Sequence, residues 1–249
     1  MTTIHIASGL RERSKKEELA YDHSGHFQEY VFGHKLAKCH WEVHELMMEG
    51  RRDPQGPYNP ALVLMPRDFA KTTMAEAFCL YRIGHNPLEL TQFICSIVTK
   101  AEQRLAKIGS CIQHNTRYKQ MFGELYPDSL DYTWKHDALE VIRDKGRVWS
   151  EGGAERDPTV AAFGVETSVE GGRATLQVYD DIVTVTNSRS LVQRTTVREK
   201  FWMSFDPMLL PEGQQLIFGT RYHYEDIYSE FIPLFDTDRF YTDLYVREE

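Results

Sequence analysis

The chain has 249 residues, of which 41% are hydrophobic and 27% charged, and its net charge is −8. Those values suit a globular protein that buries a large core in one α/β domain or two small ones. The acidic balance excludes a free-standing nucleic-acid binder working by bulk positive charge and leaves only a local basic face for such a role. No apolar run reaches the length of a membrane span, and no leader pattern opens the sequence. Cys39, Cys79, Cys95 and Cys111 form no C-x-x-C pair, and Cys79 and Cys95 sit in apolar stretches. They read as reduced, mostly buried thiols in a cytosolic compartment, not as a structural zinc site.

Residues 1–56 are expected to form a helical lead. It comprises a short helix around Glu17–Leu19, a polar turn at Asp22–Gly25, and a longer helix from Phe27 to Met48 with a turn at Gly33–His34. His40 and His44 fall one helical turn apart, as two metal ligands do in an H-E-x-x-H helix. Glu42 stands between them at the wrong offset, so they read as two unrelated histidines. Asp53–Pro60, rich in Pro and Gly, is a loop leading to the first strand.

Ala61 to Leu64 is an apolar run with the length and content of a buried strand. The chain breaks at Pro66 and resumes a helical pattern at Thr72. A strand, a tight loop ending in Lys-Thr, and a helix is the layout of a phosphate-binding loop. There the free N–H groups and positive dipole end of the helix meet an anion. In that reading Lys71 reaches the terminal phosphates and the Thr72 hydroxyl ligates Mg²⁺. Met65 and Ala70 stand where the G-x-x-x-x-G-K-[ST] pattern has glycines, which permit positive φ and close approach to phosphate. The alternative is a strand–turn–helix with an incidental Lys-Thr pair.

Arg82–Pro87 is a helix stop, Gln92–Ile97 a second apolar strand, and Ala101–Cys111 its following helix, with Leu105, Ile108 and Ile112 on one face. This alternation implies a mostly parallel sheet with right-handed crossovers and helices on both faces. Residues 114–136 are aromatic and irregular, with Tyr118, Met121, Phe122, Tyr126, Tyr132 and Trp134 suited to burial under a sheet edge or to a stacking surface. Leu139–Arg143 and Arg147–Trp149, about Asp144-Lys145-Gly146, form a hairpin pattern, and Thr159–Val165 is another strand.

Thr175–Asp181 is a strand ending in two acids. A carboxylate at the C-terminal end of a parallel strand lies where open α/β sheets bind ligands. Coupled to Lys71 and Thr72, Asp180 reads as a holder of Mg²⁺ and Asp181 as the group that polarises an attacking water. Ser188–Ser204 is a charged helix carrying Arg189, Arg194, Arg198 and Lys200, read as a solvated face. Gln214–Gly219 is the next strand, and Thr220 at its end either meets a γ-phosphate or caps a helix at Glu225–Asp226. Phe240–Val246 is a last strand.

In order, these stretches give P-R-x-x-A-K-T-T after a strand, Gly-Gly-Arg before a strand ending Asp-Asp-Ile-Val, and a strand ending F-G-T-R-Y-H-x-x-D. Over roughly residues 30–249 the chain resembles the ATPase domain of the large terminase subunit of tailed bacteriophages. The resemblance implies an α/β P-loop NTPase of the additional-strand catalytic-glutamate type. Its mostly parallel central sheet would be flanked by helices and carry a β-hairpin insertion. A single ATPase domain would span 1–249, with the P-loop core at 57–249. ATP and Mg²⁺ are the implied cofactors. The implied work is pushing double-stranded DNA into a procapsid, as a ring on the portal protein, with a small terminase subunit as partner, in the host cell cytoplasm. The C-terminal nuclease domain usual in that family is expected to be missing from this chain.

Residue by residue, Pro66, Arg67, Asp68, Phe69, Ala70, Lys71, Thr72 and Thr73 would form the nucleotide-binding loop. Lys71 matches the Walker A lysine, and Thr72 with Asp180 the Mg²⁺ ligands. Arg67 matches an arginine inside that loop. Asp181 stands where most relatives have a catalytic glutamate, one methylene longer. Thr220 matches the coupling residue, and Arg173 an arginine that some members supply in trans, with a local pair to Glu166 or Glu170 as its alternative. From another class, the departures at Met65, Ala70 and Asp181 suit a P-loop protein of impaired turnover that acts as a binding or assembly module. Lys71 is expected as an exposed loop charge. The Ala61–Leu64 strand is expected to be central, beside the strand ending at Asp180.

Overall fold

The computed structural model describes residues 3–6, 9–50, 60–143, 157–167 and 171–232. The chain opens on an antiparallel pair, β1 (Thr3–Ile6) and β2 (Gly9–Glu12), so the lead is not wholly helical. Next, α1 (Lys15–Asp22) begins at a capping box in which Ser14 and Glu17 each satisfy the other's backbone N–H. The expected helix from Phe27 to Met48 is two helices, α2 (Ser24–Phe32) and α3 (Lys38–Glu49). Gly33 ends α2 at φ 72°, a left-handed cap that a glycine adopts without steric cost.

β3 (Ala61–Leu64), α4 (Lys71–His85), β4 (Thr91–Cys95) and α5 (Val98–His114) follow, with Leu105, Ile108 and Ile112 of α5 fully buried on one face. α6 (Thr116–Phe122) is a regular helix inside the stretch expected to be irregular; its Tyr118 and Met121 are buried. β5 (Ala138–Leu139), β6 (Val160–Gly164), β7 (Ala174–Asp180), α7 (Val185–Ser188), α8 (Leu191–Glu199), β8 (Leu209–Gly219) and α9 (Tyr228–Phe231) complete the elements among the described residues. Between α8 and β8 the chain passes through one π-helical segment, Lys200–Phe205, and a 3₁₀ turn, Asp206–Met208.

The sheet order is β3-β8-β7-β4-β6-β5, with every neighbouring pair parallel except β5 with β6. Two expectations are corrected by this order. Among the described residues β3 is an edge strand, and its neighbour is β8; the strand ending at Asp180 lies one position further in. The long, almost wholly buried β8 has the apolar surface to fill the interior position, whereas β3 buries only alternate residues. Of the first arm of the expected hairpin, Leu139–Arg143, only Leu139 is strand, in β5 paired to β6; the second arm lies outside the described residues, as does the Phe240–Val246 strand.

Side chains alternate between two cores. Phe93, Leu176, Val178, Leu216 and Phe218 face α1–α6, while Ile94, Tyr179 and Ile217 face α8, the π-helical segment and α9. Helices therefore cover both faces of the sheet. The second face also carries a buried line of amides in matched register. Gln177 Nε2 donates to Gln92 Oε1 at 2.9 Å, and Gln215 Nε2 donates to Gln177 Oε1 at 2.8 Å.

The Ser188–Ser204 stretch is not one solvated helix. Arg194 is buried, donating to Ser188 O and Glu225, and Arg198 pairs with Glu230. Glu225 and Asp226 lie in a turn, where the Asp226 carboxylate accepts from Tyr222 N and His223 N. His44 is buried between Ser24 Oγ (2.9 Å) and Gln28 Oε1 (2.8 Å), while His40 Nδ1 accepts from Ala37 N, so the two histidines serve separate ends. Cys79, Cys95 and Cys111 are buried free thiols, and Cys39 is half-buried. Among the described residues no helix is long and apolar enough to cross a membrane.

Candidate functional site

Because β3, β8 and β7 run parallel, their C-terminal ends emerge on one side of the sheet. The loop after β3, Thr220 after β8, and Asp180-Asp181 at the end of β7 are thereby brought together. Loop and sheet are pinned where Met65 N donates to Gly219 O at 3.1 Å. Asp68 (φ 66°) and Ala70 (φ 54°) take the left-handed conformation that the loop requires. Met65 does not, so the glycine-like geometry is displaced from the first motif position to the middle and end of the loop. Ala70 is the N-cap of α4 and gives it no side-chain cap, which leaves first-turn N–H groups open to the loop.

Lys71 is 5% exposed, against the expectation of an exposed loop charge. Its position at the first residue of α4 turns the long side chain back under the loop. There the ammonium replaces water with three oxygens, Met65 O at 2.9 Å, Pro66 O at 2.7 Å and Thr220 Oγ1 at 3.1 Å. Thr220 Oγ1 also donates to Met65 O at 3.0 Å. One residue on, Thr72 Oγ1 lies 2.9 Å from both oxygens of Asp180. Burial pushes the Asp180 carboxyl up to about 6, with Asp181 adding to the rise and the Thr72 hydrogen bond opposing it. Burial likewise lowers Lys71, against the pull of Asp181 and Asp180. Asp181 sits at φ 47°, its N–H bonded to Phe218 O at 3.0 Å, and its Oδ1 is buried without a hydrogen-bond partner among the described residues.

Arg67 is exposed and donates from Nε to Tyr222 Oη at 3.0 Å, so the loop is clasped to the segment after β8. Pro66, Asp68 and Phe69 are exposed, and Thr73 is half-buried on α4. Arg173 does not join this group within one chain. It is exposed at the opposite end of β7, about 23 Å from Asp180 along the strand. It neighbours Asp157, whose carboxyl is raised by burial and drawn back down by Arg173.

Three participants escape sequence reasoning. Arg104 of α5 places Nε 3.7 Å from Asp180 Oδ2 and Nη1 3.7 Å from Glu76 Oε1, and Tyr222 holds Arg67. A signal existed for two of them. Glu76 is one helical turn from Thr72, and Arg104 falls on the apolar stripe of Ala101, Leu105 and Ile108, where a cation needs a buried partner.

Among the described residues no group of three or more His, Cys, Asp or Glu side chains could hold a metal ion. A Mg²⁺ that arrives with phosphates asks for less, one or two protein oxygens beside those of the ligand. Asp180 and the Thr72 hydroxyl fit that demand, and the unpartnered Asp181 Oδ1 is a further acceptor. No protein-family model and no curated protein matches the sequence.

Proposed function

We propose that the chain is a Mg²⁺-dependent ATPase of the additional-strand P-loop type, and that it is the motor domain of a large terminase subunit. The carrying observation is the contact of Thr72 Oγ1 with both Asp180 oxygens at 2.9 Å, formed by residues that start a helix and end a strand 108 positions apart. A lysine and a threonine opening one helix, and an acid ending a strand of the same parallel sheet two places from β3, support the reading. The terminase assignment rests on the order of sequence motifs.

In this reading the Lys71 ammonium exchanges Met65 O and Pro66 O for phosphate oxygens, and the open N–H groups of α4 donate to the same phosphates. Thr72 and Asp180 would hold Mg²⁺, which would supply positive charge against the phosphates. Asp181 orients the attacking water and takes its proton at Oδ1. Thr220, bonded to both Lys71 and Met65, registers whether the lysine has left the loop carbonyls. Arg67 closes over the phosphates, and Arg173 serves the site of a neighbour in a ring. Double-stranded DNA, the portal protein and the small subunit are the partners, in the host cytoplasm.

The second reading, a nucleotide-binding module of impaired turnover, is favoured by Asp181 being one methylene shorter than glutamate. One assay separates them: ATP hydrolysis with Mg²⁺, with and without DNA and portal, beside direct binding of a fluorescent ATP analogue. Hydrolysis that DNA or portal stimulates supports the motor. Binding without hydrolysis supports the module, and no binding refutes both.

A further inference from the structure

Two carboxylates stand close to one guanidinium behind the site. Glu76 (9% exposed) comes from α4 and Asp180 (4% exposed) from β7, and Arg104 reaches both from α5. Both approaches are 3.7 Å, ion-pair distances too long for hydrogen bonds. Arg104 Nε and Glu76 Oε1 are each buried with no hydrogen-bond partner among the described residues. Lys107, one turn further along α5, stands 3.5 Å from Glu76 Oε1. Buried charged groups usually complete their hydrogen bonds, so a guanidinium left between two acceptors is divided between them.

The division has a direction. Thr72 Oγ1 contacts both Asp180 oxygens, and Arg104 leans on Oδ2 alone. A cation at Asp180 would face a guanidinium already sharing the same carboxylate, and like charges in a poorly solvated site repel strongly. Glu76 supplies the place for Arg104 to go, since closing 3.7 Å to a hydrogen-bond length needs less than an ångström of movement. We infer that Arg104 is a positioning residue that competes with the bound cation for Asp180, and that Glu76 is the acceptor that draws it off. The inference rests on the nucleotide reading above.

It makes two neighbouring substitutions act in opposite directions, which a merely structural role does not. Arg104→Gln removes the competitor and lowers the Mg²⁺ concentration that half-saturates binding of a fluorescent ATP analogue, by on the order of tenfold. Glu76→Gln leaves Arg104 with Asp180 as its nearer anion and raises that concentration by a similar factor. Analogue fluorescence against MgCl₂, with circular dichroism to verify folding, reads both. Should Arg104→Gln fail to fold, Arg104→Lys gives a smaller shift of the same sign, because lysine cannot span both carboxylates. Glu76→Gln alone also tests the sign. Opposite shifts support the inference. Shifts of the same sign, or wild-type Mg²⁺ dependence in both variants, overturn it and leave the nucleotide reading standing. Absence of analogue binding by the wild-type protein at any Mg²⁺ concentration overturns that reading and this inference with it.

Discussion

Replacing Lys71 by methionine separates what the residue does for the fold from what it does for a ligand. Methionine has nearly the length of the lysine stem and no charge. The substitution deletes hydrogen bonds to Met65 O, Pro66 O and Thr220 Oγ1. Those acceptors are not stranded: Met65 O keeps the Thr220 hydroxyl, and Pro66 is exposed to water. Against the loss stands the cost of keeping an ammonium buried, several kcal/mol before its partners compensate. Burial is the largest influence on Lys71 and lowers its pKa, so the partners do not compensate in full. The nucleotide-free Lys71→Met protein is therefore expected to be more stable by about 1 kcal/mol, raising Tm by about 2–4 °C for a chain of this size.

The sign with pH follows. A lysine whose folded pKa is lowered destabilises fully below that value, and the penalty fades as pH approaches the ordinary 10.5. The gap in Tm between variant and wild type should narrow over that range. With saturating MgATP the ranking reverses. A ligand at 100 times its Kd stabilises the wild type by about 2.7 kcal/mol, and the variant should gain almost none. Calorimetry with and without MgATP reads all three terms. A fall of more than about 4 °C in the nucleotide-free variant would show that Lys71 serves the fold, and an undiminished ligand shift would remove it from the site.

Asp180→Asn is expected to abolish hydrolysis yet stabilise the free protein by about 3 kcal/mol at pH 7.5, as a carboxyl raised from 3.8 to about 6 implies. That gain should vanish below about pH 4, where the wild-type carboxyl is protonated folded or unfolded; a gain independent of pH in urea titrations would contradict the assigned cause. Ala70→Gly relieves the φ of 54° and should raise stability by about 0.5–1 kcal/mol, measured by the urea midpoint, whereas a loss would mean the loop tolerates Ala70 without strain. Mixing Arg173→Ala with Asp181→Ala subunits, under conditions where rings form, should recover activity neither has alone. A finger acting in trans is worth about 10³–10⁵ in rate, and mixed rings as inactive as their parents would return Arg173 to a local role beside Asp157.

The sequence discloses elements more readily than arrangement. β3, β4, β6 and β7 begin and end within a residue or two of their apolar runs, and the α5 face follows from helical spacing at Leu105, Ile108 and Ile112. Lys71, Thr72, Asp180 and Thr220 are legible as a group because each sits where a strand ends or a helix starts. Strand order is not legible locally: nothing within Ala61–Leu64 records that β8 fills the position between it and β7. Burial of charge is hidden for the same reason. Lys71 and Arg194 look like surface residues until partners from distant elements close around them. Charged helical positions default to solvent unless such partners exist, which is why Ser188–Ser204 reads as a solvated face.

The line of glutamines across β4, β7 and β8 bears on how accurately the site is set. An apolar strand pattern repeats every two residues, so a slip of two positions returns every greasy side chain to its own face and passes unnoticed. Gln92, Gln177 and Gln215 do notice. Such a slip would part amides that now lie opposite one another and are almost wholly buried, costing about 1–3 kcal/mol for each polar group left alone. Asp180 stands three residues beyond Gln177 and Thr220 five beyond Gln215. The amides thus act as a gauge that fixes the relative height of acid and hydroxyl, at mid-sheet and away from the loop after β3.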